Sequence, residues 1–314
     1  RSHSSFKSLR ELSLRSLTLI EVDKLRSRRQ FCLFVFWMNV AKYSFLRNLS
    51  RKTAPLPVIA AAREEFLHSG VATFPDFLVP SAIKKAVTEC EIEKGVTKPC
   101  FVTDDTHNAY LLPDDPSFPP THVRNKRMST KVASIAADEL PQRGVLMDLY
   151  NDDRLRELIR RVVYGEDGEK EIHKSADPIG CCSVNVFKSG WLHSHHFDES
   201  EFSTTLMLQR PESGGMFEFT ERIRSSQDEF QFSTVEDVIA HQDDQKNMKT
   251  STKVSTLAFE PGTLSIFAGR YSLHRVTPCE GEVDRLVSVL TFANTEGYKN
   301  SPQVQKLFWG RTSE

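Results

Sequence analysis

The chain has 314 residues and a formal net charge of −1, with 41 Lys and Arg against 42 Asp and Glu. That balance leaves no basic footprint for neutralising phosphates, so nucleic acid is not an expected partner. Hydrophobic residues make up 39%, and 21 residues are Phe, which is ample for a packed core in one large domain or one domain with a tail.

Residues 1–57 differ from the rest and are expected to form an N-terminal extension, disordered or targeting-like. Arg10, Arg15, Arg26, Arg28 and Arg29 stand among serines with few acids. The apolar run from Phe31 to Met38 is too short to cross a bilayer before Asn39 and Lys42 interrupt it, so no membrane span is expected. Met38 to Thr53 (MNVAKYSFLRNLSRKT) is basic and acid-free, like an organelle transit peptide. The expected location is intracellular: cytoplasmic, or mitochondrial or plastid if that segment is a leader.

The folded domain is expected over residues 58–314. Val58 to Ser69 reads as a helix with Ile59, Ala62, Phe66 and Leu67 on one stripe, stopped by Gly70. Val71 to Leu78 reads as a short strand and turn, and Ser81 as the cap of a second helix running to Glu93. Residues 95–125, rich in Pro, Asp and Thr, read as an irregular segment able to fold over a site. Leu146 to Tyr164 reads as one helix, with Leu149, Leu155, Ile159 and Val163 near helical spacing.

From Cys181 the period becomes alternating. Ser183, Asn185 and Phe187 fall on one face, Cys182, Val184 and Val186 on the other. Phe202 to Gln209 reads as a second strand, and Gly214-Gly215 as a tight turn into Met216 to Phe219. The charged stretch 221–252 reads as an inserted loop. Strands resume over 254–260, 263–268, 272–277 and 285–293. Helices followed by many short strands predict an α+β chain, mainly β, with N-terminal helices packed on a sandwich or barrel. The six cysteines form no C-x-x-C pair, so a zinc ribbon or thioredoxin-like site is unsupported, and they are expected as reduced thiols.

The chemistry concentrates in Trp191-Leu-His-Ser-His-His-Phe-Asp198 and in His274-Arg-Val-Thr-Pro278 with Arg285. His196 and Asp198 lie two apart, so in an extended segment both can reach one ion. With His274 they make the parts of a 2-His-1-carboxylate facial triad, which fills one face of Fe(II) and leaves the other open. His193 and His195 crowd the same segment and are candidates for substrate or outer contacts, or for simple solvation. A dicarboxylate co-substrate needs one deep cation, which a guanidinium supplies bidentately. Arg285 opens an apolar strand and is preferred; Arg270 is second, and Arg275, beside His274, should face the opposite way. Glu218 is expected to point outward. Phe308 and Trp309 either roof a pocket or close the core, with core packing preferred.

These segments, together with Gly214-Gly-Met-Phe-Glu-Phe219 and Phe267-Ala-Gly-Arg-Tyr-Ser-Leu-His274, resemble the Fe(II)/2-oxoglutarate-dependent dioxygenase superfamily over residues 58–314. They look most like the branch of free amino-acid halogenases and related hydroxylases. The resemblance implies a double-stranded β-helix (jelly-roll) core, iron on His196, Asp198 and His274, 2-oxoglutarate on Arg285, and O2 as oxidant. Asn185 and Thr205 sit on strands that could add polar contacts to the co-substrate; apart from the resemblance, Arg270 stands second to Arg285 for it, and His193, Glu199 and Trp309 are candidate substrate contacts. Two positions depart from common patterns of the superfamily, Phe292 for an aromatic hydroxyl and Val287 for a Ser. A halogenase of this branch has Gly or Ala where this chain has Asp198, so the implied reaction is hydroxylation of a small polar substrate such as a free amino acid, with decarboxylation to succinate. A desaturase or cyclase, a protein hydroxylase, and a non-catalytic jelly-roll sensor stand as alternatives.

Overall fold

The computed structural model describes residues 56–313 apart from 94–95, 98–99, 167, 226 and 258. The expected N-terminal extension and its transit-peptide reading lie, up to residue 55, outside the described residues. Two antiparallel sheets dominate. Their strands, in chain order, are β1 (Val71–Phe74), β2 (Phe101–His107), β3 (Met128–Ile135), β4 (Cys182–Phe187), β5 (His193–His196), β6 (Ser203–Gln209), β7 (Phe217–Thr220), β8 (Val254–Leu257), β9 (Leu264–Phe267), β10 (His274–Val276) and β11 (Arg285–Leu290). Seven form one sheet in the order β1-β9-β6-β11-β4-β3-β2, and four form the other in the order β8-β7-β10-β5. The chain repeatedly switches between sheets, as a jelly roll requires. Mainly β, with its N-terminal helices packed on one side, it has the expected double-stranded β-helix core. Among the described residues no helix is long and apolar enough to cross a membrane.

The alternation read in the sequence assigns the faces. Cys182, Val184 and Val186 of β4 join Leu206, Leu286 and Leu290 in the core beneath the helices. The opposite faces carry Phe187, Met207, Val287 and Phe267, which meet Phe219, Leu257 and Val276 between the sheets. The register places Asn185 opposite Val287 and Arg285 opposite Phe187, with Thr205 opposite Ser265. A one-residue slip of β11 would turn Arg285 out of the interior, and the buried faces on both sides forbid it.

The helices are α1 (Leu56–Ser69), α2 (Pro80–Glu89), α3 (Val145–Tyr150), α4 (Asp153–Tyr164), α5 (Phe232–Ala240) and α6 (Pro302–Trp309). α1 buries Ile59, Ala62 and Phe66, while Leu67, placed on that stripe by the sequence, is 51% exposed. α4 buries Leu155, Leu158, Ile159 and Val162 at helical spacing; each such burial stabilises by about 1.5–3 kcal/mol.

Several boundaries differ from expectation for identifiable reasons. Pro80, not Ser81, opens α2, because proline's fixed φ and missing N–H suit the first helical position. α2 stops at Glu89 rather than Glu93, and its last carboxylate accepts from Val145 N at 2.9 Å, capping α3. The single helix expected over 146–164 is two, because the Asp152 carboxylate accepts from Arg154 N and starts α4 afresh. The segment 95–125 is not wholly irregular, since β2 pairs with β3 along the sheet edge. The stretch 221–252 contains α5, whose Val235, Val238 and Ile239 pack on Ala109, Tyr110, Phe197 and Leu273.

Candidate active site

β5 and β10 are hydrogen-bonded neighbours in which His196 stands directly across from His274. This one rung closes the long sequence gap between them and sets their ring centroids 4.1 Å apart. Both rings are fixed alike. His196 Nδ1 donates to Ser194 O at 2.9 Å, and His274 Nδ1 to Ser272 O at 3.0 Å. A carbonyl only accepts, so each Nδ1 carries the hydrogen and each Nε2 keeps a lone pair for a ligand. Those Nε2 atoms lie 3.5 and 3.4 Å from one oxygen, Asp198 Oδ1.

Asp198 sits past the end of β5, so its aim does not follow from strand alternation alone. Its backbone N–H donates to Gly269 O at 3.1 Å, and Ser203 Oγ donates to its second oxygen, Oδ2. Gly269 is needed for this approach: a Cβ there would stand 1.9 Å from Oδ2. Burial opposes ionisation of Asp198, but the imidazoles of His274 and His196 outweigh it and hold the carboxyl well below its ordinary range. Burial, then His274, lowers His196, favouring the neutral ring. One candidate ligand atom from each of these three residues lies within 4.8 Å of the others. Two neutral imidazoles and a carboxylate on one side suit Fe(II) with open positions, and not a closed four-ligand zinc site.

The three donors open into a cavity of about 170 Å³ between the sheets. At its wall Arg285 is 1% exposed. Its Nε donates to Gly215 O at 3.0 Å, its Nη1 is buried without a partner, and its guanidinium lies 5.2 Å over the Phe187 ring. Burial brings its pKa down to about 10, with Cys279 as the one countering neighbour. A buried guanidinium with an unpartnered donor and, among the described residues, no carboxylate beside it is costly unless an anion arrives. The pocket's chemistry thus fits both a ferrous ion and a dicarboxylate.

The other residues singled out by sequence are distributed as follows. Asn185 lines the cavity and accepts from Ser134 Oγ at 3.1 Å. Thr205 lines it too, with Oγ1 at 2.7 Å from Ser265 Oγ. His193 is buried against His196, their rings stacked at 3.8 Å, with Nε2 unpartnered. Glu199 is at the cavity margin, but its carboxylate is engaged by Ser301, accepting from the backbone N at 3.0 Å and from Oγ. Arg270 does not line the cavity. It pairs with Glu229 at 2.8 Å on the surface, because it lies on the turn before β10 and points to solvent. Trp309 and Phe308, expected to favour core packing, are in the cavity wall, and Trp309 Nε1 is buried without a partner. Arg275 faces away from the cavity and pairs with Glu218 at 2.7 Å.

The sequence reading missed His107. Its Nε2 lies 2.6 Å from Thr130 Oγ1, and its ring edge meets His193 and His196 at 5.4 and 5.9 Å. Burial drives its pKa down to about 4. Its only sequence signal was a histidine ending a threonine-rich alternating run, inside the segment read as irregular.

A profile of the family described as Halogenase D (HalD) matches residues 113–307, more than half of the chain. Comparison with curated proteins found no match. Among solved structures, a non-heme alpha ketoglutarate dependent carbocyclase, SnoK, from nogalamycin biosynthesis superposes with a TM-score of 0.50 and 12% identity, over 86% of this chain and 95% of that one. A 2OG-Fe(II) oxygenase family oxidoreductase from Burkholderia pseudomallei gives a TM-score of 0.47 and 13% identity, over 76% of this chain and 91% of that one. A prolyl-4-hydroxylase from Pseudomonas putida gives 0.44 and 16% identity, over 74% and 97%.

Proposed function

This chain belongs to the Halogenase D family, and from that premise we propose that it is an Fe(II)/2-oxoglutarate-dependent oxygenase that hydroxylates a small polar substrate, such as a free amino acid. His196 and His274 would hold the metal through Nε2 and Asp198 through Oδ1. Arg285 would grip the far carboxylate of 2-oxoglutarate, with Asn185 and Thr205 along the same face. When bound, ferrous iron and 2-oxoglutarate supply the oxidising chemistry, one atom of O2 going to the substrate and the other to succinate as CO2 leaves.

The protein's share is placement and exclusion. Carbonyls at Ser194 and Ser272 lock both imidazoles in the metal-binding tautomer. Ser203 turns Asp198 so that a single oxygen faces the histidines. Phe187, Phe217, Phe267 and Val276 line the cavity with hydrocarbon and keep water from the reacting carbon.

The single observation that carries the reading is Asp198. Its carboxylate would fill the position a halide needs, which supports hydroxylation over halogenation despite the family's name. The small cavity, about 170 Å³, weighs against a polypeptide substrate. The test is a screen of free amino acids for substrate-stimulated succinate release with iron and oxygen, followed by mass analysis. The expected product is heavier by one oxygen atom, and His274→Ala is expected to abolish succinate release. A chlorinated product from the wild-type protein in chloride would sink the hydroxylase reading.

A further inference from the structure

β5, which carries His196, is an edge strand of its sheet, whereas β10, which carries His274, is paired on both sides. The backbone of His274 is therefore held by two neighbouring strands of that sheet, and the backbone of His196 by one. The open side of β5 is closed instead from β3, a strand of the other sheet. Lys131 N donates to Leu192 O at 2.9 Å, Ser194 Oγ donates to Ser129 O, and Ser194 N donates to Thr130 Oγ1 at 3.1 Å. Ser194 is also the residue whose carbonyl fixes the His196 ring. Thr130 thus holds the residue that holds the ligand.

Thr130 is itself held, by His107 at the end of the adjoining strand β2. Both residues are buried, at 1% and 3% exposure. His107 Nδ1 faces Asn108 O at 3.0 Å, and its Nε2 faces Thr130 Oγ1 at 2.6 Å. A carbonyl only accepts, so in the neutral ring that burial favours the hydrogen is on Nδ1 and Nε2 keeps a lone pair. The Thr130 hydroxyl hydrogen must then point at His107, which leaves the oxygen's lone pairs for the Ser194 N–H. Each hydrogen in the series has one direction: Thr130 donates to His107, Ser194 to Thr130, and His196 to Ser194. His107 does not line the catalytic cavity. It reaches the site through this series and through the edge of its ring, whose centroid lies 5.9 Å from that of His196.

We propose that His107 and Thr130 are positioning residues for His196, acting through Ser194 to keep the ligand's Nε2 aimed at the metal position. The inference rests on His196 being a metal ligand. An outer partner that steadies a ligand's ring contributes to metal affinity without touching the metal. A residue that only fills space contributes to stability, and an isosteric replacement lacking the hydroxyl would leave metal affinity where it was.

The test is anaerobic titration of the full chain with Fe(II) against a competing chelator. The His196 tautomer is read separately on the metal-free protein, by proton–nitrogen correlation NMR of the imidazoles. Thr130→Val keeps the shape and removes the hydroxyl, and His107→Phe keeps a ring and removes the acceptor. Each is expected to weaken Fe(II) binding about tenfold and to replace the single Nδ1–H tautomer of His196 by a mixture. Thr130→Ser restores the hydroxyl, and His107→Gln can accept from it; both are expected to bind Fe(II) within about threefold of wild type. Wild-type affinity and an unmixed tautomer in Thr130→Val overturn the role, as does a loss in Thr130→Ser equal to that in Thr130→Val. If His107→Phe does not fold, the Thr130 pair decides alone. An Fe(II) affinity unmoved by His196→Ala instead removes the metal reading, and this role with it.

Discussion

Asp198 shares one oxygen between two imidazole Nε2 atoms and gives the other to Ser203. Both oxygens of that carboxylate are therefore oriented, and Gly269 is needed for its approach. Asp198→Gly should leave the histidine pair in place and open a hole beside Ser203. The expected outcome is loss of hydroxylation with retained iron binding by the two histidines at reduced affinity, checked by metal titration and product analysis; wild-type hydroxylation in the variant would refute the ligand role. Arg285 makes a contrasting prediction. Among the described residues its buried charge has no carboxylate partner, so Arg285→Met should abolish 2-oxoglutarate binding and yet raise the stability of the ligand-free protein, by about 1–4 kcal/mol in denaturant titration. A variant less stable than wild type would show that the guanidinium is better satisfied than its surroundings indicate.

At the scale of elements, α4 packs on α1 in the helical layer, and Ile159, fully buried, joins the core beneath it. Ile159→Ala should cost about 2–5 kcal/mol of stability, measured by chemical unfolding, while Kd for 2-oxoglutarate stays unchanged because the residue is on the far face of the sheet from the cavity. The strands were the most readable part of the sequence, since alternation in β4 put Ser183, Asn185 and Phe187 on one face, which the structure shows to line the cavity. The His196–Asp198 pair was readable from its spacing. Its joining with His274 was not, because that depends on which strands pair. α6 carried signals in plain sight: Ser301 as cap, Pro302 at the first turn and Gly310 beyond the end. Without it Trp309 had no element to bring it to the cavity. α5 was hidden because nine residues of modest amphipathicity lie between charged runs. Arg270 was misjudged because nothing local distinguishes a turn arginine aimed at solvent from one aimed inward.

For the molecule as a whole, the histidine-rich interior fixes a pH dependence. Burial lowers His107 to about 4 and His195 to about 3. In the unfolded chain both titrate near 6.5, so between these limits the unfolded state binds more protons and acid favours it. The stability that comes from keeping these rings neutral is complete above about pH 6.5 and is lost as pH falls toward 4 and below. Metal-free protein should therefore be weaker at pH 5 than at pH 7 by roughly 2 kcal/mol for each buried imidazole, and equal unfolding midpoints at the two pH values would contradict the burial of these rings. The ladder rung that joins His196 to His274 has a different consequence, for descent. On the proposed assignment, two ligands would be part of the sheet's own framework, unable to drift without unzipping it, whereas the third would hang on a connecting segment outside any strand. That third ligand would then be the replaceable module of the centre. A lineage built on this scaffold would exchange it by one codon change, redirecting which atom its products receive, while the architecture holding the two histidines would be inherited intact.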